Sequence, residues 1–312
     1  MLERLNTTFR DSVLGGLSQH PKTLEPKWFY DAVGSALFDQ ICLLPEYYPT
    51  RTETAILRER ADDIAEALGA GVVLYEPGAG SLSKARIVLE ALEAPSRFVP
   101  TDISSTHLHE AAEDVREAFP DLAIEPIACD FTKHLAIPPS VEDDMPVTLF
   151  FPGSTIGNFE PGEAEALLRR FREESGAQHL LIGVDLVKDR NTLVAAYDDA
   201  AGVTAAFNLN LLERINRELG GDFVIEKFQH VALFNEEKSR IEMHLESLED
   251  QEASIAGSSI QFTAGERLHT ENSYKYSPDR FSTMAARAGW NESLVWTDDK
   301  NWFGVFLFTA AA

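Results

Sequence analysis

The stretch LYEPGAGSLSKAR, residues 74–86, constrains the fold more than any other part of the chain. A short apolar run, VVLYE at 72–76, meets Gly78 and Gly80, and a helical pattern opens near Ser83. Glycine lets the backbone turn at positive φ and approach a ligand closely. The helix start behind it offers free N–H groups. The same rhythm then continues. RFVPTD (97–102) reads as a strand, SSTHLHEAAEDVREAF (104–119) as a helix and AIEPIACD (123–130) as a strand. VTLFFPGST (147–155) is a further strand, EAEALLRRFREES (163–175) a helix and HLLIGVDLV (179–187) a fifth strand. Strands alternating with helices predict a parallel sheet covered on both faces. Right-handed crossovers make it doubly wound.

Beyond residue 187 the pattern changes. Residues 188–222 read as helices and 223–270 as antiparallel strands, for example FVIEKFQHVALF and SRIEMHLESL. SPDRFSTMAARAG reads as a helix, and SLVWT and WFGVFLFTA, joined through DDKN, as a closing hairpin. Ahead of the glycine loop, LPEYYPTRTE (44–53) holds Tyr47 and Tyr48 between Pro45 and Pro49. Proline fixes its own φ and pushes the preceding residue toward extended backbone. The expectation is a stiff connector, poor as a helix and as a central strand.

The loop is specific in its details. A dinucleotide fingerprint needs a third glycine where Ser83 stands, and the lysine signature of a P-loop is absent. Instead Glu76 precedes the two glycines as ExGxG, with Pro77 inside the motif. This looks like the first motif of S-adenosylmethionine-dependent methyltransferases. Two further acids follow in register. Asp102 ends the second strand, where a carboxylate accepts ribose hydroxyls. Asp130 ends the third, placed to accept from an adenine amino group while Phe131 packs on the ring. Lys84 opens the next helix, within reach of a cofactor carboxylate, although an ordinary surface lysine fits it nearly as well. The resemblance implies the Rossmann-like, doubly wound, seven-stranded sheet of class I methyltransferases, closed by the terminal hairpin. The expected organisation is a cofactor domain at 52–187 plus 275–312. A second, α+β substrate-binding lobe is expected at 1–51 plus 188–274.

Composition narrows the class. The 312 residues are 44% hydrophobic with 19 Phe, enough for a large core, and carry a net charge of −24. Such acidity disfavours nucleic acid and anionic membrane surfaces as partners. Cys42 and Cys129 are the two cysteines and form no CxxC pair, which fits a reducing cytoplasm. The first twenty residues carry charges throughout and no apolar signal core, and no run of eighteen apolar residues occurs. His107 and His109, two apart on a predicted helix, point to different faces, so no metal site is expected. The expected state is a monomer.

Several longer motifs resemble one family. PKWFYDAVGSALFDQI, LPEYYPTRTE, FPGSTIGNF, AAYDDAAGVTAAFN and the ENS at 271–273 are similar to the histidine Nα-methyltransferases of ergothioneine biosynthesis. The likeness runs across nearly the whole chain. It implies three successive methyl transfers from S-adenosyl-L-methionine to the α-amino group of L-histidine, giving hercynine. By that resemblance Tyr30 and Tyr47 face the substrate amine and carboxylate, and Tyr30 is the candidate for assisting proton removal. Asn158, in a loop shaped by Gly153 and Thr155, accepts from the amine through an uncharged oxygen. Tyr197, expected on a helix of the second lobe, donates to the substrate carboxylate. Phe207 and Met243 wall the pocket, though Phe207 is equally at home as an ordinary core residue and Met243 on composition alone reads more as plain core. Glu271 and Ser273 hold the imidazole, and a site built to bond a substrate N–H rejects analogues lacking it by ~10⁴.

Three alternatives stay open on the residues. Another amino acid or small amine could be the acceptor. A non-catalytic S-adenosylmethionine sensor would keep the loop without turnover. A nicotinamide oxidoreductase is disfavoured by Ser83.

Overall fold

The apolar runs fold as strands and the runs of helical period as helices. The computed structural model describes residues 2–139, 141 and 145–311, with side chains from Thr7 onward. In chain order the helices are α1 (Leu2–Leu17), α2 (Ala32–Leu43), α3 (Tyr48–Glu59), α4 (Ala61–Leu68), α5 (Ser83–Ala91), α6 (Ser105–Ala118), α7 (Pro161–Ser175), α8 (Arg190–Ala195), α9 (Val203–Leu219) and α10 (Pro278–Arg287). The strands are β1 (Val73–Pro77), β2 (Arg97–Asp102), β3 (Ala123–Ile124), β4 (Ile127–Ala128), β5 (Val147–Phe151), β6 (His179–Asp185), β7 (Phe228–Asn235), β8 (Arg240–Ser247), β9 (Gln251–Ile255), β10 (Ser258–Phe262), β11 (Arg267–Tyr274), β12 (Trp290–Thr297) and β13 (Phe303–Ala310). The chain divides into two units, Met1–Tyr48 with Lys188–Tyr274, and Pro49–Val187 with Lys275–Ala312.

The second unit is the doubly wound sheet. Its strand order is β12-β13-β6-β5-β1-β2-β3, with β4 also pairing β2. β1, β2, β5 and β6 pair in parallel, and β13 enters antiparallel between β12 and β6. The expected seven positions are therefore present, but the third strand is broken. Residues 123–130 supply two short pieces, β3 and β4, instead of one strand. Pro126 stands between them and cannot donate to a ladder.

β1 and β5 are buried along their whole length, as central strands covered on both faces must be. On one face Leu74, Phe98, Phe150, Leu181 and Val305 pack with Ile56, Ile64, Val88 and Leu108 from α3, α4, α5 and α6. On the other, Phe151 meets Phe171 of α7 edge-on at 5.1 Å between centroids, and Phe306 meets Phe281 of α10 at 5.2 Å. Trp290, fully buried, donates its indole N–H to the Leu168 carbonyl at 2.8 Å and ties β12 to α7.

One expectation fails here. LPEYYPTRTE is not a connector throughout, because α3 begins at Tyr48 and runs through Pro49. In a first turn the proline's missing N–H costs no hydrogen bond, and its fixed φ suits the helix.

The first unit is α+β. β11, β8 and β7 form an antiparallel sheet, and β9 and β10 form a separate hairpin. α9 buries Thr204, Phe207, Asn208, Leu211 and Ile215, spaced as one helical face. Asp31 caps α2 by accepting the Gly34 N–H at 2.8 Å. The same carboxylate accepts from Asn210 at 2.8 Å and pairs with Arg217, which fixes α9 against the start of α2.

Candidate active site

In the second unit the site residues collect at the carboxyl ends of the parallel strands. β1 delivers Glu76 to the glycine turn with 1% of its surface exposed. Its Oε2 has no hydrogen-bond partner among the described residues. Burial pushes the Glu76 carboxyl well above the usual carboxylate range; the Lys84 charge opposes this, and Glu53 and Asp102 add to it. A buried carboxylate oxygen without a donor is costly in a folded chain unless a ligand supplies one.

Gly78 has φ +69°, and a Cβ there would stand 2.8 Å from Cε1 of Phe131. The bare glycine thus lets the Phe131 ring lie against the loop. Gly80, at φ +57°, donates its N–H to Asp102 Oδ2 at 3.3 Å. Asp102 Oδ1 accepts from the Ser104 N–H at 2.8 Å. Burial raises the Asp102 carboxyl, against the pull of those two backbone donors. The Cys129 N–H donates to the Asp102 carbonyl at 2.9 Å, which brings the turn holding Asp130 to the end of β2. Asp130 lies beyond β4, where its Oδ1 accepts from the Thr132 N–H at 3.1 Å. Glu76, the Gly78–Gly80 turn, Lys84, Asp102, Asp130 and Phe131 therefore occupy one end of one sheet.

After β5 the chain turns at Gly153, with φ +82°, and at Ser154, with φ +57°. Ser154 Oγ accepts the Asp185 N–H at 2.9 Å, and Thr155 Oγ1 donates to the Pro152 carbonyl at 3.2 Å. Both bonds hold the single 3-10 turn Thr155–Asn158 that ends in Asn158. Lys84 is not an ordinary surface lysine. It is largely buried and pairs with Glu53 at 2.5 Å.

In the first unit, aromatic rings gather the acceptor candidates. Tyr47 meets Tyr197 edge-on at 6.2 Å and Phe38 at 6.1 Å. Phe38 also meets Tyr30 and Phe207, and Phe207 stacks on Phe29 at 4.4 Å. Burial first, then the neighbouring Tyr197, Cys42, Tyr30 and Glu271, hold the Tyr47 phenol well above its ordinary value. Tyr197 is not on a helix as expected but in the turn after α8. Asp199, two residues on, turns its carboxylate to the Val203 and Thr204 N–H groups at the start of α9.

The Tyr197 hydroxyl lies 2.7 Å from Ser273 Oγ, so these two buried groups share one bond. β11 shifts register between His269 and Glu271. This bulge re-aims the strand, and past it Glu271 and Ser273 lie on one face with Met243 directly opposite Glu271 on β8.

Two residues of the first unit escaped the sequence reading. Phe38 sits in a quoted motif, but nothing in α2 alone separates it from core. His230 Nε2 lies 2.8 Å from the Tyr197 carbonyl, and its Nδ1 2.9 Å from the Asn208 amide nitrogen. Burial lowers the His230 pKa, which favours a neutral ring donating to Tyr197 and accepting from Asn208. In the second unit, Glu53 was likewise missed.

The histidine-specific, S-adenosylmethionine-dependent methyltransferase family matches residues 9–310. The chain belongs to this family. The histidine N-alpha-methyltransferase of Mycolicibacterium smegmatis is 44% identical over 96% of this chain and 94% of its own length. That of Mycobacterium tuberculosis is 43% identical with the same coverage. Ergothioneine biosynthesis protein 1 of Neurospora crassa is 28% identical over 89% of this chain, which spans 32% of that longer protein. Among the described residues no helix is long and apolar enough to cross a membrane. The residues at the sheet end fit the family's methyl donor: a buried carboxylate oxygen lacks a donor among the described residues, and an aromatic ring lies beside a glycine turn.

The buried Glu76 carries a stability consequence with a definite sign. Its folded pKa is raised, so the native chain binds more protons than the unfolded chain between the ordinary carboxylate range and the raised value. Stability from this group is full below that window and is lost as pH rises through it. Glu76→Gln removes the titration. Its melting temperature relative to the parent should therefore be higher at about pH 8 than at about pH 5. Calorimetry should show its binding of S-adenosylhomocysteine weakened about tenfold or more.

Proposed function

We propose that the protein transfers three methyl groups in succession from S-adenosylmethionine to the α-amino nitrogen of L-histidine, giving hercynine. The family and the two full-length relatives support the donor and the acceptor class. The observation that carries the acceptor is the cluster in which Tyr197, Ser273 and Tyr47 are buried together with Glu271. It offers a carboxylate, three hydroxyls and ring faces to a molecule carrying an imidazole, a carboxylate and an amine.

In this reading the second unit binds the donor. Asp102 takes the ribose hydroxyls, Asp130 the adenine amino group and Phe131 the adenine face. Glu76 and Lys84 take the amino acid end, and Gly78 and Gly80 let the backbone come close. When bound, S-adenosylmethionine supplies an electrophilic methyl group on a sulfonium.

The first unit binds the acceptor. Glu271 accepts an imidazole N–H, Ser273 bonds the same ring, and Tyr197 donates to the carboxylate. Phe207 and Met243 wall the ring. The amine must be neutral to attack. Asn158 accepts one of its N–H bonds, with Gly153 and Thr155 shaping that turn; an uncharged oxygen does not raise the amine pKa as a carboxylate would. Tyr47 keeps its own proton at neutral pH, so it orients the amine and does not serve as base. Tyr30 passes the amine's proton toward solvent. Ring faces tolerate the cation that grows with each methylation, and the third product, with no N–H left, is released. Both cysteines are unbridged thiols, in keeping with a cytoplasmic enzyme, which in this reading acts as a monomer on a small-molecule substrate.

Incubation with S-adenosylmethionine and ¹⁵N-labelled histidine should give one, two and then three added methyl groups, all on the α-nitrogen by NMR. Methylation of a ring nitrogen would overturn the reading. Tyr47→Phe should lower kcat by about 10–100-fold while leaving the pH at which activity rises unchanged, because that limb belongs to the substrate amine. A shift of the limb would make Tyr47 the base. Glu271→Ala should lower kcat/KM for histidine by about 100-fold or more, with a smaller loss for amino acids lacking an imidazole. Equal losses would remove Glu271 from ring recognition.

A further inference from the structure

Glu53 of α3 is a carboxylate at 1% exposure that none of the roles above uses. Its Oε2 pairs with Lys84 Nζ at 2.5 Å. Both of its oxygens accept the Gly153 N–H, at 3.0 and 2.9 Å. Room for it comes from β6, where a Cβ on Gly183 would fall 1.8 Å from Glu53 Oε1. Glu53 thus joins three separate pieces of the second unit. Lys84 begins the helix after the glycine turn, Gly153 begins the turn that ends in Asn158, and Gly183 lies in the sheet.

A lysine at that place has many rotamers in water. A buried anion with a fixed backbone bond selects one of them, and charge-assisted bonds are the strong ones. A carboxylate so placed also needs both partners, since removing either leaves buried charge poorly compensated.

We propose that Glu53 is a positioning residue of the methyl-donor site: it holds the Lys84 ammonium for the donor's carboxylate and fixes the Gly153 turn that presents Asn158. The proposal rests on reading the second unit as the donor site. It gives a physical reason for a glutamate in the TRTE of the Tyr47 motif and for a glycine in the middle of a buried strand.

The variant Glu53→Gln keeps the volume and an oxygen for the Gly153 N–H but loses the charge that holds Lys84. Its KM for S-adenosylmethionine and its Kd for S-adenosylhomocysteine should rise about tenfold, with kcat and the histidine KM within about threefold of the parent. Glu53→Ala also frees the Gly153 turn, so kcat should fall as well. Gly183→Ala displaces the carboxylate without changing its charge and should weaken S-adenosylhomocysteine binding at least threefold; it carries the test if Glu53→Gln does not fold. A folded Glu53→Gln with unchanged donor KM and Kd would overturn the proposal, as would unchanged binding in Gly183→Ala. A parent protein that does not bind S-adenosylhomocysteine would overturn the donor-site reading itself, and this proposal with it.

Discussion

A carboxylate withdrawn from water must find donors or stay protonated, and that constraint organises the second unit. Glu76 ends a strand buried on both faces, with one oxygen lacking a partner among the described residues. Around it the chain places a left-handed glycine turn, the Lys84 ammonium, and two further acids, the half-buried Asp102 and the buried Glu53. The charges are not balanced locally. Three carboxylates stand near one ammonium, an arrangement suited to a ligand that brings its own hydrogen-bond donors and positive charge. The parallel sheet makes this possible, because its strands all deliver their carboxyl ends to one edge.

In the proposed reading the first unit solves a different problem, since its ligand would be held by a ring, a carboxylate and an amine at once while the amine gains charge. An antiparallel sheet with one bulge sets Glu271 and Ser273 on one face. A helix pair, α2 and α9, brings aromatic rings to the same unit. Tyr197 is fixed from two sides, by Ser273 at its hydroxyl and by His230 at its carbonyl. Burial holds the Tyr47 phenol neutral, so in the proposed reading it would orient the amine without adding charge.

The doubly wound sheet was legible because buried parallel strands are long apolar runs and their helices keep period. VTLFF and HLLIGVD announce themselves in this way. The glycine turn, Glu76 and Asp102 are legible because each sits at a strand end, while Asp130 lies two residues beyond β4. The helix at α3 was not, since Pro49 suggests a break and only its place in the first turn makes it harmless. AIEPIACD reads as one strand because its apolar pattern outweighs Pro126. Glu53, Phe38 and His230 were invisible for a common reason. Each depends on a partner far along the chain, Glu53 on Lys84 and Gly153, His230 on Tyr197 and Phe38 on Phe207, and nothing in their local pattern marks them. Tyr197 and Ser273 each stand in a legible motif, but their mutual bond is a tertiary fact.

The central claim is that this acceptor site selects histidine. The most direct measurement is mass spectrometry of the purified protein incubated with S-adenosylmethionine and an equimolar mixture of the twenty common amino acids. The account predicts that histidine alone is methylated and that it accumulates in the trimethylated form. Methylation of a different amino acid in preference to histidine, or of none while the donor still binds, would contradict it.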